Sequence, residues 1–384
     1  MKETKFKNTE IGKIPKDWEV TSIGKVCNVR RGVRVTKEQL TDEGRYPVYQ
    51  NTNYPMGYFD NYNADANTPF VIVGGSAGQI GLSKERYWAA DDCAYFEKSN
   101  TLNKVFLYYE LTHRQFEIKK FVRTASVPRL DRKVIEDFVL PLPSLHEQHR
   151  IASALTSIDN LISSLGKLIE KKKNIKQGAM QQLLTGKTRL KGFNEPWMEK
   201  KLGDIGSLAM CKRIFQEETF EKGDVPFYKI GTFGQQADAY ITKVKYEQFK
   251  QMYRFPQKGD VLISAAGTIG RTVIYNGEPA YFQDSNIVWL AHNGKYITNN
   301  FLFYIYQRTD WNTEDTTIAR LYNNNFNNTC IHFPSSITEQ QAIANILSKM
   351  DNEITALEIK KAKYEAIKQG MMQQLLTGKI RLIS

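Results

Sequence analysis

Two stretches of the chain carry apolar residues at alternating steps of three and four. Ile151, Ala154, Ile158, Leu161, Leu165, Leu168 and Ile175 form the first row, interrupted by Lys172. Ile343, Ile346, Met350, Leu357, Tyr364, Ile367 and Met371 form the second, interrupted by Glu353 and Lys360. Steps of three and four put side chains on one narrow helix face, and such a face needs a partner. The cheapest partner is the other row, because two similar rows in one chain bury each other. Proline-bearing segments, "LPLPS" (Leu140 to Ser144) and "HFPSS" (His332 to Ser336), come just before the rows. They cannot continue a helix from upstream but suit the approach to one. The pattern therefore predicts two helices of about 38 residues, each roughly 57 Å long at 1.5 Å per residue. The long stretches ahead of them are expected to be globular.

The two halves repeat each other. "KQGAMQQLLTGKTRL" (Lys176 to Leu190) returns as "KQGMMQQLLTGKIRL" (Lys368 to Leu382), identical at 13 of 15 positions and offset by 192 residues. At the same offset "EQHRIASALTSIDNLISSL" from Glu147 aligns with "EQQAIANILSKMDNEITAL" from Glu339. This is the mark of a duplication. The globular stretches repeat more loosely. "WEVTSIG" (Trp18 to Gly24) parallels "WMEKKLG" (Trp197 to Gly203), and "VIVGGSAGQIG" (Val71 to Gly81) parallels "VLISAAGTIG" (Val261 to Gly270). "SVPRL" (Ser126 to Leu130) parallels "TIARL" (Thr317 to Leu321). Between these anchors, "RRGVRVTKEQLTDEGRYPVYQNTNYPMGYFDNYN" finds no match around "CKRIFQEETFEKGDVPFYKIGTFGQQADAY". Two similar frames carry two different contents.

Composition narrows the class. A chain of 384 residues with 41% hydrophobic and 12% aromatic residues can build more than one ordinary core. No run of 18 apolar residues occurs, and "MKETKFKNTE" lacks the apolar stretch of a signal peptide, so a soluble, cytoplasmic protein is expected. Cys27, Cys93, Cys211 and Cys330 lie far apart with no Cys-x-x-Cys pair. They fit neither a zinc knuckle nor a disulfide framework, and packed thiols are the expectation. A formal charge of +12 favours a polyanionic partner.

The order of parts resembles the specificity subunits of type I restriction-modification systems. Phrases typical of that family stand at Glu147 to Ile162, Gly178 to Leu190, Val73 to Gly81 and Pro141 to Pro143, with second copies in the other half. The resemblance implies an α+β chain in which two globular α/β target-recognition domains are separated by an antiparallel two-helix coiled coil, with an internal pseudo-twofold repeat. The expected parts are recognition domain 1 over 1–143, long helix 1 over 144–188, recognition domain 2 over 189–335 and long helix 2 over 336–384. It further implies a non-catalytic subunit for host defence, each recognition domain reading one half of a split double-stranded DNA target. The helices would fix the spacing and dock the modification methyltransferase subunits, two per specificity subunit. Adenine methylation and cleavage would reside in those and in restriction/translocase subunits. No cofactor is expected in this chain; S-adenosylmethionine belongs on the methyltransferase.

Catalytic motifs do not survive inspection. "LTGKT" (Leu184 to Thr188) resembles the end of a phosphate-binding loop, but the leading glycine is Gln181 and the second copy has Ile380 for the hydroxyl. Gly186 and Gly378 instead suit the left-handed position that closes a helix. "GGSAGQIG" (Gly74 to Gly81) lacks cofactor-loop spacing and reads as a strand-to-strand turn, whose amides and Ser76 or Thr268 can still meet a phosphate. "NTPF" (Asn67 to Phe70) is one residue from an adenine-methyltransferase signature but has no cofactor loop with it. His146 and His149 are replaced by Thr338 and Gln341 in the second copy, so no metal pair is repeated. "EKKKNIK" (Glu170 to Lys176) reads as a solvated helix face.

Base edges in the major groove are read best by Arg, Lys, Asn and Gln. The first half offers Arg30, Arg31, Arg34, Gln50, Asn51, Asn53, Arg123 and Arg129; the second offers Lys212, Arg213, Gln235, Gln236, Arg271, Arg320 and Asn323. Each domain is expected in a major groove about one helical turn, roughly 34 Å, from the other. Ile151, Ile158, Leu165, Ile343, Met350 and Leu357 are the expected coiled-coil or partner-binding positions. Three rival classes are weighed: a specificity subunit of a related methylation-directed defence system, a self-contained DNA-modifying enzyme and a pure coiled-coil scaffold. The enzyme would need a cofactor loop or clustered acidic ligands. The scaffold leaves the different contents of the two frames unexplained.

Overall fold

A computed structural model describes residues 4–124, 126–311 and 320–383. The chain mixes helix and sheet in two compact units, Met1–Lys167 with Glu358–Ser384, and Leu168–Leu357. Each unit therefore holds one globular stretch and part of each long helix.

Unit 1 is built on an antiparallel sheet in the order Val29–Arg31, Cys93–Phe96, Pro69–Ile72, Ile80–Leu82. Pro69–Ile72 is buried along its whole length, which explains its unbroken apolar run. The helix Lys104–His113 packs on it, started by Asn103, whose side chain accepts from the Phe106 amide at 2.8 Å. A smaller sheet runs Tyr58–Phe59, Tyr46–Tyr49, Trp88–Ala89. Unit 2 repeats the plan. Its main sheet runs Ser207–Ala209, Ile287–Ala291, Val261–Ser264, Thr272–Ile274, and its smaller one Ala239–Ile241, Val225–Tyr228, Tyr281–Phe282. The helix Asn299–Tyr306, capped by Thr298, takes the place of Lys104–His113. Unit 1 adds the hairpin Phe6–Thr9 with Gly12–Pro15; unit 2 adds the helix Lys243–Met252.

The stretch expected to have no match does have one. Tyr46–Tyr49 and Val225–Tyr228 hold the same place in their sheets, each paired in parallel with a two-residue strand. At that offset of 179 (Tyr46 to Val225), the short 3-10 turns Lys37–Gln39 and Gln216–Glu218 also coincide. Only scattered identities such as Gly44 with Gly223, Pro47 with Pro226 and Tyr49 with Tyr228 persist. The buried partners change type, Val35 to Ile214 and Val48 to Phe227, and the offset differs from the 192 of the helices. Those two changes hid the match.

The long helices are Leu145–Leu183 and Ile337–Leu375, 39 residues each. Gly186 (φ 69°) and Gly378 (φ 67°) are left-handed just beyond their ends, as a closing glycine requires. The apolar row of the first helix is turned by about one position from the expected one. Leu161, Leu168 and Ile175 are exposed, while Leu155 and Ile169 are buried beside Ile151, Ile158 and Leu165. In the second helix Ile343, Leu347 and Ile354 are buried, Met350 and Leu357 half-buried and Ile367 exposed.

The rows also reach into the globular cores. In unit 1, Ile151, Ala152 and Leu155 enter the globular core together with Met372, Leu375 and Leu376 from the second helix's end. In unit 2, Ile343, Ala344 and Leu347 do so with Leu183 and Leu184. Farther along, ion pairs join the helices. Lys368 pairs with Asp159 at 2.7 Å in unit 1, and Lys172 with Glu353 at 2.7 Å and Lys176 with Asp351 in unit 2. In each unit the partners run in opposite directions, so the segments are antiparallel. Each helix thus gives apolar residues to the globular cores and charged residues to interhelical pairs, with Ile158, Leu165, Ile169 and Ile354 buried between them.

Among the described residues no helix is long and apolar enough to cross a membrane. Cys27, Cys93 and Cys211 are buried thiols, whereas Cys330 is exposed rather than packed. Of "TIARL", residues 317–319 lie outside the described residues.

Candidate nucleic-acid interface

In unit 1, strand alternation parts Arg30 from Arg31. Arg30 turns to Glu97 at 2.7 Å, and this pairing raises the Arg30 pKa and lowers that of Glu97. Arg31 donates its Nε to the Asp91 carbonyl at 2.8 Å and shares a cleft of about 380 Å³ with Arg129. Arg129 reaches the carboxylate of Asp92 through Nη1. Its backbone is fixed on two sides, by paired hydrogen bonds with Arg123 and by a bridge to Gly74. Gly75 donates to the Pro128 carbonyl and Ser76 to that of Asn51, at 3.1 and 3.0 Å. The Gln50 amide lies 3.5 Å from Asp91 Oδ1. The fold therefore gathers Arg31, Gln50, Asn51, Ser76 and Arg129 around Asp91 and Asp92, while the Arg123 side chain turns to Asp131 at 3.9 Å. Arg34 is exposed beyond its strand, and Arg30 faces elsewhere.

Unit 2 gathers fewer of its candidates. The turn Asp284 to Asn286, with Ser285 left-handed at φ 59°, holds two arginines. Arg213 donates to Asp284 at 2.8 Å and Arg320 to Asn286 Oδ1 at 3.0 Å. Lys212 lies next to Arg213 in sequence, its ammonium 5.3 Å from the Tyr253 ring centre. Arg271 donates to the Phe233 carbonyl at 2.9 Å, next to the loop that bears Gln235 and Gln236. Thr268 sits in the turn joining Val261–Ser264 to Thr272–Ile274, its carbonyl accepting from Ser264 Oγ at 2.6 Å. Asn323 is exposed at the start of the helix Asn323–Asn328. The hairpin group, Gln235, Thr268 and Arg271, is a separate constellation from the turn at 284–286. His149 Nδ1 lies 2.9 Å from the Asn103 amide, and no group of three metal-binding side chains occurs among the described residues.

Sequence reading missed the residues that position these surfaces. In unit 1 Arg381, 8% exposed, makes a two-pronged pair with Glu147 at 2.7 and 2.8 Å, and another with Asp17. Trp18 lies under the guanidinium and donates Nε1 to Glu147 at 3.0 Å. Arg381 holds the Asp17 carboxyl below its usual pKa, and the two acids raise that of Arg381. In unit 2 Arg189 grips Glu339 with two bonds of 2.7 Å beside Trp197. Farther along the helices, Tyr109 donates to Asp159, the partner of Lys368, and Tyr304 to Asp351, the partner of Lys176, both at 2.8 Å. All four basic residues lie within the repeated "KQG…GK.RL" phrase or at its first lysine. That phrase was the available signal; its reading as a helix end left the charge partners out.

The family model for the type I restriction modification DNA specificity domain matches residues 15–177 and again 194–369. A putative type I restriction enzyme specificity subunit of Haemophilus influenzae is 35% identical over 369 residues, 92% of this chain and 93% of that protein. A type I restriction enzyme specificity subunit of Methanocaldococcus jannaschii is 27% identical over 99% of this chain and 97% of its own length. Among solved structures, the S subunit of a type I restriction-modification system from M. genitalium has the same fold. Its TM-score is 0.71 at 20% identity, over 93% of this chain and 96% of that one.

Proposed function

Because the chain belongs to the type I restriction-modification DNA specificity family, we propose that each of its units reads one half of an asymmetric, bipartite DNA target. The observation that carries this reading is the pairing of matched frames with unmatched polar loops. The sheets, capped helices and helix-end arginine pairs recur in both units, while the polar side chains around Asp91 and Asp92 differ from those around Asp284 to Asn286. Matched frames carrying different donors fit two half-sites that differ in sequence.

In this reading the two long helices set the spacer between half-sites and dock two modification subunits. Those subunits bind S-adenosylmethionine and methylate adenine, and restriction/translocase subunits cleave. The chain supplies recognition and no chemistry. A cytoplasmic site of action follows from the DNA partner. The outward apolar residues Leu161 and Leu168 and the lysine-rich middle of the first helix are surfaces suited to a docking subunit.

The test is reconstitution. The purified chain with S-adenosylmethionine should leave DNA unmethylated, and adding the modification subunit encoded beside it should give methylation at one bipartite sequence. Methyl transfer by the chain alone, or sequence-independent transfer by the complex, would overturn the reading. Replacing residues 1 to 140 with another first domain should change one half-site only.

A further inference from the structure

One pair of arginines holds equivalent places in the two units. In unit 1 Val73 donates to the Asp92 carbonyl at 2.7 Å and accepts from Leu130 at 2.9 Å. In unit 2 Ala265 donates to the Asn286 carbonyl at 2.7 Å and accepts from Leu321 at 2.8 Å. Gly74 bridges Arg129, and Ala266 bridges Arg320. By these bonds Asp92 corresponds to Asn286 and Arg129 to Arg320. The side chains repeat the correspondence: Arg129 Nη1 bonds the Asp92 carboxylate and Arg320 Nη2 bonds Asn286 Oδ1 at 3.0 Å.

We propose that Arg129 and Arg320 are specificity-determining residues reading a guanine in their respective half-sites, and that Asp92 and Asn286 are the positioning residues that aim them. This rests on the DNA-recognition reading above. A free arginine side chain loses much rotamer freedom when it docks. Here the residue after each arginine, Leu130 or Leu321, donates to the residue just beyond the central strand, Val73 or Ala265, and an acceptor from the neighbouring strand's approach fixes one guanidinium nitrogen. In unit 1 the Asp92 carboxylate is 16% exposed while Arg129 is 54% exposed, so the anchor is inside and the reader is out. The fork left beyond the anchored nitrogen matches the O6 and N7 acceptors of guanine, the commonest arginine target in the major groove.

The two units also differ at the residue beside the pair, Gly74 in one and Ala266 in the other. A Cβ on Gly74 would come within 2.3 Å of the Asp92 carboxylate and 2.7 Å of Arg129 Nη1. The charged pair lies across that glycine. Unit 2 has Ala266 there and uses a neutral amide at Asn286. Its carboxylate, Asp284, is displaced two residues and takes Arg213 instead.

The experiment is genome-wide mapping of methylated adenines made by the intact complex carrying variants of this chain. Arg129→Ala and Arg129→Lys should each weaken the preference for guanine at one position of one half-site, by about 10- to 100-fold, and leave the other half-site intact. Arg320→Ala should do the same in the opposite half-site. Asp92→Ala should relax the Arg129 position, while Asp92→Asn, which supplies the acceptor Asn286 provides in unit 2, should restore it. An unchanged motif with Arg129→Ala overturns the reading role. Damage to both half-sites, or a failure of Asp92→Asn to outperform Asp92→Ala, overturns the positioning role. A wild-type complex that methylates no defined sequence would instead count against the recognition function itself.

Discussion

The helix ends and the loop clusters of the two units diverge to very different degrees. At the helix ends, Arg381 with Glu147 and Arg189 with Glu339 recur at an offset of 192 with the same two-pronged geometry and a tryptophan beside each. At the loops, a frame that superposes bond for bond carries Asp92 in one unit and Asn286 in the other, Gly74 in one and Ala266 in the other. The helix-end residues have partners within the chain, each buried and demanding a particular donor. Arg129 keeps 54% of its side-chain surface in solvent and Arg320 is also exposed, so the fold constrains their surroundings and leaves their chemistry free to differ.

The largest effect should come from breaking a helix-end pair. Arg381→Ala strands Glu147, which is 1% exposed, and should cost about 3–5 kcal/mol, expressed as lost hydrogen-exchange protection within unit 1. Arg189→Ala should strip protection from unit 2 alone, with a smaller loss, since Arg189 is 29% exposed. Equal losses in both units from either variant would end the idea of two separate locks.

A second contrast is the buried carboxyl of unit 1. Glu110 has no counterpart charge in unit 2, where Ile305 follows Tyr304 as Glu110 follows Tyr109. Burial pushes its pKa from 4.5 to about 8, with Arg114 at 3.8 Å pulling only partly against it. The folded state binds the proton more tightly, so the contribution to stability is complete below pH 4.5 and is lost as pH rises toward about 8. Protection of Lys104–His113, corrected for intrinsic exchange, should fall as pH rises from about 5 to about 8 while that of Asn299–Tyr306 stays level. Glu110→Gln should flatten the difference.

Gly74→Ala probes the loop contrast directly. It should displace the Arg129–Asp92 pair and degrade one half-site of the methylated sequence, whereas Ala266→Gly should leave the motif unchanged. The smallest effect belongs to the helix middles. Lys368→Met should lose about 1 kcal/mol or less, and that loss should shrink in high salt, because the Lys368–Asp159 pair is partly exposed. A salt-independent loss would mean that packing, rather than charge, joins the helices there.

Much of this was legible in the one-dimensional pattern. The 3,4 spacing and the prolines located both long helices, and the repeated glycine marked their ends. The family resemblance carried the α+β class. The rotation of the first helix row was not legible, since Leu161 and Leu155 are equally apolar and only the neighbouring core decides which is covered. The match of Tyr46–Tyr49 to Val225–Tyr228 escaped because strand pairing preserves backbone register while side-chain identity drifts. Asp92, Asp284 and Asn286 escaped because an acidic or amide residue in a loop has no signature until an arginine far along the chain arrives beside it.

By itself, then, the sequence determined local structure and duplication: where helices start and stop, and which text is said twice. Those follow from short-range spacing, capping and backbone sterics. Only the tertiary structure decided that Arg381 answers Glu147 across 234 residues and that Arg129 and Arg320 share one station on two sheets. Pairings of that kind depend on which chain segments the burial of apolar surface brings together, and no local rule encodes it.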